Sequence, residues 1–347
     1  MSTGPQDLHN QRLLMLAGGV RLSGIVHALC ALGVADHLAD GPRFVADLAA
    51  ASGAEPDALR RLLTAASGVG IFAADGDDRF MLTPLAEGLR SDTPDSIRAL
   101  VLYSCAPTIQ RSYASILHTA TGGGRAFDHE FGRPLWDHLA AHPEEEAFFD
   151  GTMTQMNLRL TPAHLDAMRP ERFATIADLG GGQGHFLAEA LKRRTDARGV
   201  LFERGPVLEA AGPVLEKHGV SDRVALAAGD FFTDPLPVAD AYVLRGILHN
   251  WPDDQAATIL RRVRTAIADR SQARLFVLEQ VMGEANHWDH AKFLDIDMML
   301  VFGGRERTLG AWQSLFAGAG LELVSTPPVG RWTVLECRPL PTDRPNR

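Results

Sequence analysis

The reading of the fold turns on Ile176–Leu187, IADLGGGQGHFL. Its apolar start reads as a buried strand, and Gly180, Gly181, Gly182 and Gly184 follow at once. Residues without a Cβ let a backbone turn sharply there and come close to a ligand. A dinucleotide fingerprint, G-x-G-x-x-G, fails, because counting from Gly180 or Gly182 puts His185 or Leu187 at its last position. No G-K-[ST] follows either, which removes a Walker loop. What is left is G-x-G-x-G, from Gly180, Gly182 and Gly184, behind Asp178.

Working outward, the chain supplies three more strand ends. FLAEALKRR reads as a helix, and GVLFE as a short buried strand that ends in Glu203, 19 positions beyond Gly184. A carboxylate at the tip of the second strand can accept both hydroxyl protons of a ribose. RVALAAGDFF gives a third strand ending in Gly229, Asp230, Phe231 and Phe232. Asp230 can accept an adenine amino proton, and an aromatic ring beside it can cover the purine face. DAYVLRGILHNWPDD supplies a fourth strand, with Arg245 at its end and His249 just beyond. Together these ends would hold one adenosyl ligand at the carboxyl edge of a parallel sheet, where open α/β sheets bind ligands.

In that order, ADLGGGQG, LFE, GDFF, LRGILHNWPDD, FVLEQV and GGRERT resemble the S-adenosylmethionine-dependent, metal-independent O-methyltransferases. That family includes plant caffeate-type enzymes and bacterial enzymes that tailor antibiotics. The resemblance runs from about residue 12 to 338. It implies S-adenosylmethionine as cofactor and an α/β fold: a Rossmann-like methyltransferase sheet of seven strands, the last one antiparallel, behind a mostly helical, winged-helix-like dimerisation domain. Glu203 stands where an aspartate is common in the family, and Arg245 where plant relatives carry lysine. Both keep their charge.

A chain of 347 residues exceeds one typical core. The expected divisions are a winged dimerisation domain over 1–100, a helical linker and pocket roof over 101–170, and the cofactor-binding domain over 171–347. In the first, FVADLAAASGAEPDALRRLLTAASGVGIF reads as helix, turn and helix, and FMLTP as a strand of a small wing. Helix-turn-helix units often bind DNA, so a ligand-sensing regulator is a competing reading. Residues 1–100 hold eight arginines, no lysine and twelve acids, which leaves no phosphate-binding face. A net charge of −9 likewise disfavours nucleic acid and anionic membranes as partners. No run approaches the roughly 18 apolar residues of a membrane span, and MSTGPQDLHN has neither the basic nor the apolar part of a leader. Cys30, Cys105 and Cys337 stand apart without C-x-x-C spacing. They fit reduced thiols in the cytoplasm and argue against zinc. The tail PTDRPNR reads as loose.

Methyl transfer from a sulfonium is a direct displacement, so an enzyme must align the acceptor and make it nucleophilic. Moving a phenolic proton from a pKa near 10 to an imidazole near 6.5 costs about 5 kcal/mol, so the base needs help. His249 is the candidate base, placed beside the cofactor pocket by the strand it follows. A carboxylate on the far ring nitrogen would fix the tautomer and stabilise the imidazolium. Glu279, ending the apolar strand RLFVLEQ, and Glu306, in GGRERT, match the family's two positions for it. A glutamate ending a buried strand is also costly without a partner, which independently favours Glu279.

PLWDHLAAHPEEEAFFDGTMTQMNLRL resembles the family's helix over the acceptor pocket, which implies Trp136, Phe149, Met153 and Met156 as lining. In DIDMMLVFGG, Met298, Met299 and Phe302 either pack core or touch an aromatic acceptor. Asp253 and Asp254 read as caps of the helix QAATILRRVRTAIADR. HWDHAKFLDID carries His287, Asp289, His290, Asp295 and Asp297, with two histidines three apart. It reads as a polar helix segment, not a metal site.

The favoured activity is methylation of a phenolic hydroxyl on an aromatic or polyketide-type small molecule by a cytoplasmic homodimer, without metal, nucleic acid or membrane. Nitrogen or carbon methylation, and a reaction such as hydroxylation or decarboxylation that keeps the methyl group on the cofactor, use the same cofactor half and stay open at this point.

Overall fold

The structure is a computed structural model that describes residues 5–341, with side chains from residue 7; most of PTDRPNR therefore lies outside the described residues. The chain divides into two compact units, one of Met1–Arg111 with His142–Arg159, the other of Ser112–Ala141 with Leu160–Arg347.

The first unit is helical with a small antiparallel sheet, as its sequence predicts. Strands β1 (Arg43–Phe44), β2 (Phe72–Ala74) and β3 (Arg79–Leu82) pair in the order β1-β3-β2. The helices Val45–Ser52 and Pro56–Ser67 form the helix-turn-helix. Pro56 opens the second of these, behind Glu55, whose carboxylate accepts from the N–H groups of Asp57 and Ala58. Leu59, Leu63 and Ala66 recur at helical spacing and are wholly buried, against a core that includes Leu48 and Phe72. The helix Pro5–Ala17 instead leaves Leu8, Leu13, Leu14, Met15 and Leu16 exposed, and Val20 continues that apolar surface.

The second unit is built on a parallel sheet. Its strands are β4 (Thr175–Leu179), β5 (Arg198–Glu203), β6 (Val224–Ala228), β7 (Ala241–Arg245), β8 (Arg274–Met282), β9 (Arg307–Thr308), β10 (Leu321–Ser325), β11 (Pro328–Val329) and β12 (Trp332–Pro339). Seven follow the order β10-β12-β8-β7-β4-β5-β6, while β9 pairs with β8 and β11 with β12. Only the last strand, β12, runs against its neighbours β8 and β10. Alternation along each strand sorts side chains to two cores: Phe276 and Leu278 join one, Leu275 and Val277 the other.

Strand order reverses between β4 and β7, because β4 leads to β5 and β6 on one side while β7 leads to β8 on the other. The loop Gly180–Gly184 leaves β4 at this switch point, where a crevice opens at the carboxyl ends. Among the described residues, no single helix is long and apolar enough to cross a membrane.

Candidate active site

The glycine loop owes its shape to its residues. Gly180, Gly182 and Gly184 have φ of +74°, +57° and +83°, a region that costs a residue with Cβ about 1–2 kcal/mol. A Cβ on Gly180 would lie 2.6 Å from Ile247, and one on Gly181 would strike the Asp178 carboxylate. At Gly182 it would meet nothing within 4 Å, so the loop faces open space there. Glu203, at the tip of β5, accepts from Gly182 N–H through Oε2 (3.1 Å) and from Arg204 N–H through Oε1 (2.8 Å). The carboxylate predicted to hold a ribose is thus tied to the loop predicted to meet the cofactor.

Asp178 is 1% exposed, and its Oδ2 has no hydrogen-bond partner. Burial pushes its pKa up to about 7; the charge of Arg245 opposes this and that of Glu203 adds to it. Arg245 lies on the same sheet face, donates to the Thr161 hydroxyl (3.1 Å) and covers the Phe186 ring at 4.9 Å. Burial lowers its pKa to about 10, against the pull of Asp178. Gly229 is fixed by packing, since a Cβ would stand 2.6 Å from the Phe202 ring. Asp230 Oδ1 accepts from Phe232 N–H (2.8 Å). Phe231 and Phe232 meet Trp251 edge-on at 6.1 and 4.8 Å, and Phe231 comes within 3.8 Å of the Cβ position of Gly180. An orphaned buried carboxylate oxygen, a glycine facing open space and acidic groups at successive strand ends fit a ligand bearing amino and hydroxyl groups.

His249 sits in the single 3-10 turn Leu248–Asn250 that follows β7. Its Nδ1 lies 2.7 Å from Glu306 Oε1 and 3.7 Å from Glu279 Oε2. Both glutamate side chains are fully buried. Glu279 lies inside β8, three residues before its end, and not at the end of the strand as its sequence suggests. Its Oε1 accepts from the N–H groups of Leu248 (2.9 Å) and His249 (3.3 Å), so it holds the backbone of the turn. Glu306 is held by its own N–H, which donates to Asp295 Oδ1 at 2.8 Å.

Burial alone would lower the pKa of His249, but the charge of Glu279 and the hydrogen bond and charge of Glu306 outweigh it and raise it to about 9. Burial raises Glu279 to about 7, against the pull of His249. The ligand atoms of these three residues lie within 4.8 Å of one another, close enough for a cation. Imidazole-to-carboxylate and carboxylate-to-backbone hydrogen bonds already join them, a set suited to handling protons.

The acceptor side is only partly gathered. Met298–Phe302 forms one π-helical turn, with Met298 buried and Met299 and Phe302 half-buried. Phe302 packs against Trp136 at 5.8 Å, and the Arg204 guanidinium covers Trp136 at 5.7 Å. Trp136 lies on the helix Leu135–Ala140, separate from Pro143–Met168, which carries Phe149, Met153 and Met156. These last three belong to the first unit, where Phe149 is buried edge-on against Tyr103 at 5.5 Å.

Two sequence expectations change. Asp253 caps nothing, since Pro252 holds the N-cap position without a side-chain bond; Asp253 pairs instead with Arg305 (3.0 Å) and Arg307 (2.9 Å). The segment around His287 is not one helix, because Asp289 caps a helix that begins only at His290. His290 bonds Gln280, Asp295 accepts from Glu306 N–H, and Asp297 accepts from Tyr113, so these side chains serve separate partners. Gly304 escaped notice in the sequence: a Cβ there would fall on the His249 carbonyl oxygen. The doubled glycine of GGRERT was its only signal.

Comparison with known proteins agrees with this architecture. Residues 113–322 match the model of the O-methyltransferase domain, and residues 14–92 that of the O-methyltransferase dimerisation domain. The chain is 37% identical to the 8-amino-8-demethylriboflavin N,N-dimethyltransferase of Streptomyces davaonensis, over 96% of each chain. It is 34% identical to the phenazine O-methyltransferase PhzM of Lysobacter antibioticus, over 94% of this chain and 96% of that one. The solved structure of the mitomycin 7-O-methyltransferase MmcR superposes with a TM-score of 0.86 at 30% identity, covering 96% of this chain and 98% of that one. The chain belongs to the O-methyltransferases, enzymes dependent on S-adenosylmethionine, and carries their dimerisation domain.

Proposed function

We propose that this enzyme methylates a phenolic hydroxyl of an aromatic or polyketide-type natural product, with His249 as general base, as a cytoplasmic homodimer. The observation that carries this reading is the buried His249–Glu306 hydrogen bond in the turn after β7, next to the strand from which the glycine loop springs. The loop glycines, Asp178, Glu203, Asp230, Phe231 and Arg245 would hold the cofactor. Bound S-adenosylmethionine supplies an electrophilic methyl group on a sulfonium. Glu306, engaged with Nδ1, leaves Nε2 of His249 to take the acceptor proton, and it stabilises the imidazolium that results. Glu279 fixes the turn from which the ring projects. Trp136, Met298, Met299 and Phe302 offer apolar and aromatic surface to a flat acceptor.

An arylamine acceptor is a second reading, favoured by the N,N-dimethyltransferase relative. It asks less of the base, since a neutral amine nitrogen is already nucleophilic and gives up its proton only after the methyl has moved. Incubation with matched hydroxy- and aminoarenes, with S-adenosylhomocysteine measured, separates the readings by which series is consumed. His249→Ala should lower turnover about 10²–10⁴-fold while cofactor affinity stays within about twofold. Wild-type turnover in that variant would remove His249 as base. Acceptor conversion without S-adenosylhomocysteine would remove methyl transfer itself.

A further inference from the structure

We infer that Arg307 is a positioning residue for the reaction, acting through His249 by gripping both sides of the turn that carries it. This rests on the reading of His249 as base. Arg307 is 2% exposed and belongs to the two-residue strand β9. Its guanidinium donates from Nη1 to the carbonyl oxygens of Leu248 (3.0 Å) and Arg305 (3.3 Å), and from Nη2 to that of Trp251 (2.8 Å). Nε donates to Asp253 Oδ1 (2.9 Å), and the plane lies over the Trp312 ring at 4.9 Å. Leu248 and Trp251 flank His249, so one rigid fork fixes the carbonyls on either side of it.

Other backbone groups of the turn are held by residues around it. Glu279 takes the N–H groups of Leu248 and His249, and Arg305 N–H donates to the His249 carbonyl at 2.8 Å. Glu306 binds the ring and Arg307 binds the turn, so neighbouring residues of one short segment set both where the imidazole is and how it is rotated. A turn of three residues has too few internal hydrogen bonds to fix a side chain to the tolerance that catalysis needs, about 0.5 Å. The exposed Asp253 completes the device by orienting the guanidinium from its outer edge.

A double-mutant cycle tests this, using the best-consumed probe among catechol, 1,4-dihydroxy-2-naphthoate and 1-hydroxyphenazine. Arg307→Gln should lower kcat about 10- to 100-fold, with acceptor KM and S-adenosylhomocysteine affinity within about twofold. Added to His249→Ala it should slow the reaction no further. Asp253→Asn, at an exposed site, should give a smaller loss with the same non-additivity, and it serves if Arg307→Gln folds poorly. The low-field Nδ1 proton resonance of His249 should weaken in both variants, a signal that needs no turnover. Unchanged kcat and resonance in a folded Arg307→Gln protein, or losses that multiply with His249→Ala, overturn the proposal. If His249→Ala alone keeps the wild-type rate, the base assignment falls first and this inference falls with it.

Discussion

Nδ1 of His249 stands 2.7 Å from Oε1 of Glu306, and that one distance assigns work to both nitrogens of the ring. The proton on Nδ1 is committed to the carboxylate, which leaves Nε2 as the nitrogen that can receive another. The bare Cα of Gly246 stands beside Nε2: a Cβ there would lie 3.8 Å from it and 3.3 Å from Trp332. Glu306→Gln keeps the shape but removes the charge that stabilises an imidazolium. Turnover should fall by about 10²-fold, with cofactor affinity unchanged in calorimetry. A rate within twofold of wild type would show that Glu306 serves packing alone.

The pH dependence follows from the raised pKa of His249. An imidazole held up to about 9 is protonated at neutral pH, and only its neutral form can accept a proton. Thus kcat/KM should rise with pH and level off above about 9. Glu306→Gln removes one of the groups that raise this pKa, so its profile should level off at lower pH, at a smaller maximum. A profile that does not move between the two proteins would detach the titration from His249.

Stability should move the opposite way. His249 is raised in the folded state above its ordinary 6.5, so its contribution is complete below that value and lost as pH rises through about 9. Glu279, raised from 4.5 to about 7, acts with the same sign, because the folded state again binds the extra proton, but it does so between those two values, below the range of His249. The thermal midpoint should therefore decline between neutral pH and about 9, and decline less in Glu279→Gln, which removes a charge that holds the His249 pKa up; scanning calorimetry across that range checks both.

Gly182 separates ligand fit from fold. Its Cβ position is open and its φ is +57°, so Gly182→Ala should cost about 1–2 kcal/mol of stability from backbone strain. The added methyl points into the space proposed for the cofactor, so S-adenosylhomocysteine affinity should fall at least tenfold. Affinity within twofold of wild type would move the cofactor away from this loop.

The helix Pro5–Ala17, which runs into the start of the family's dimerisation domain at residue 14, leaves Leu13, Leu14 and Leu16 at 66%, 70% and 64% exposure. Solvated apolar surface of this extent marks a partner-binding face. Leu13→Glu with Leu16→Glu should convert a dimer to a monomer in sedimentation analysis. A dimer that survives the pair would place the interface elsewhere.

The sheet was legible because glycine and acidic residues punctuate the strands that bear the site: Gly180 after β4, Glu203 ending β5 and Arg245 ending β7 follow directly from where apolar runs stop. The grouping of His249, Glu279 and Glu306 was legible in residue type, since the three do meet. What each carboxylate does was hidden. Nothing in FVLEQV shows that Glu279 lies within the strand and accepts backbone N–H groups, because a buried acid in a strand breaks the apolar pattern in the same way whether it faces a ring or a turn. Asp253 misled for a related reason: an acid at the start of a helix is ordinarily a cap, and only tertiary structure brings Arg305 and Arg307 to it. Gly304 was invisible because its constraint is another segment's backbone.

The π-helical turn Met298–Phe302 lies between two fixed points, Asp295, which accepts from Glu306 N–H, and Gly304, pressed against the His249 carbonyl. Within that turn Met298, Leu300 and Val301 are buried in the core, and Met299 and Phe302 alone stay half-buried. On the proposed reading, those two positions are where a single scaffold can be retuned to new aromatic compounds, while the anchors on either side leave His249 in place.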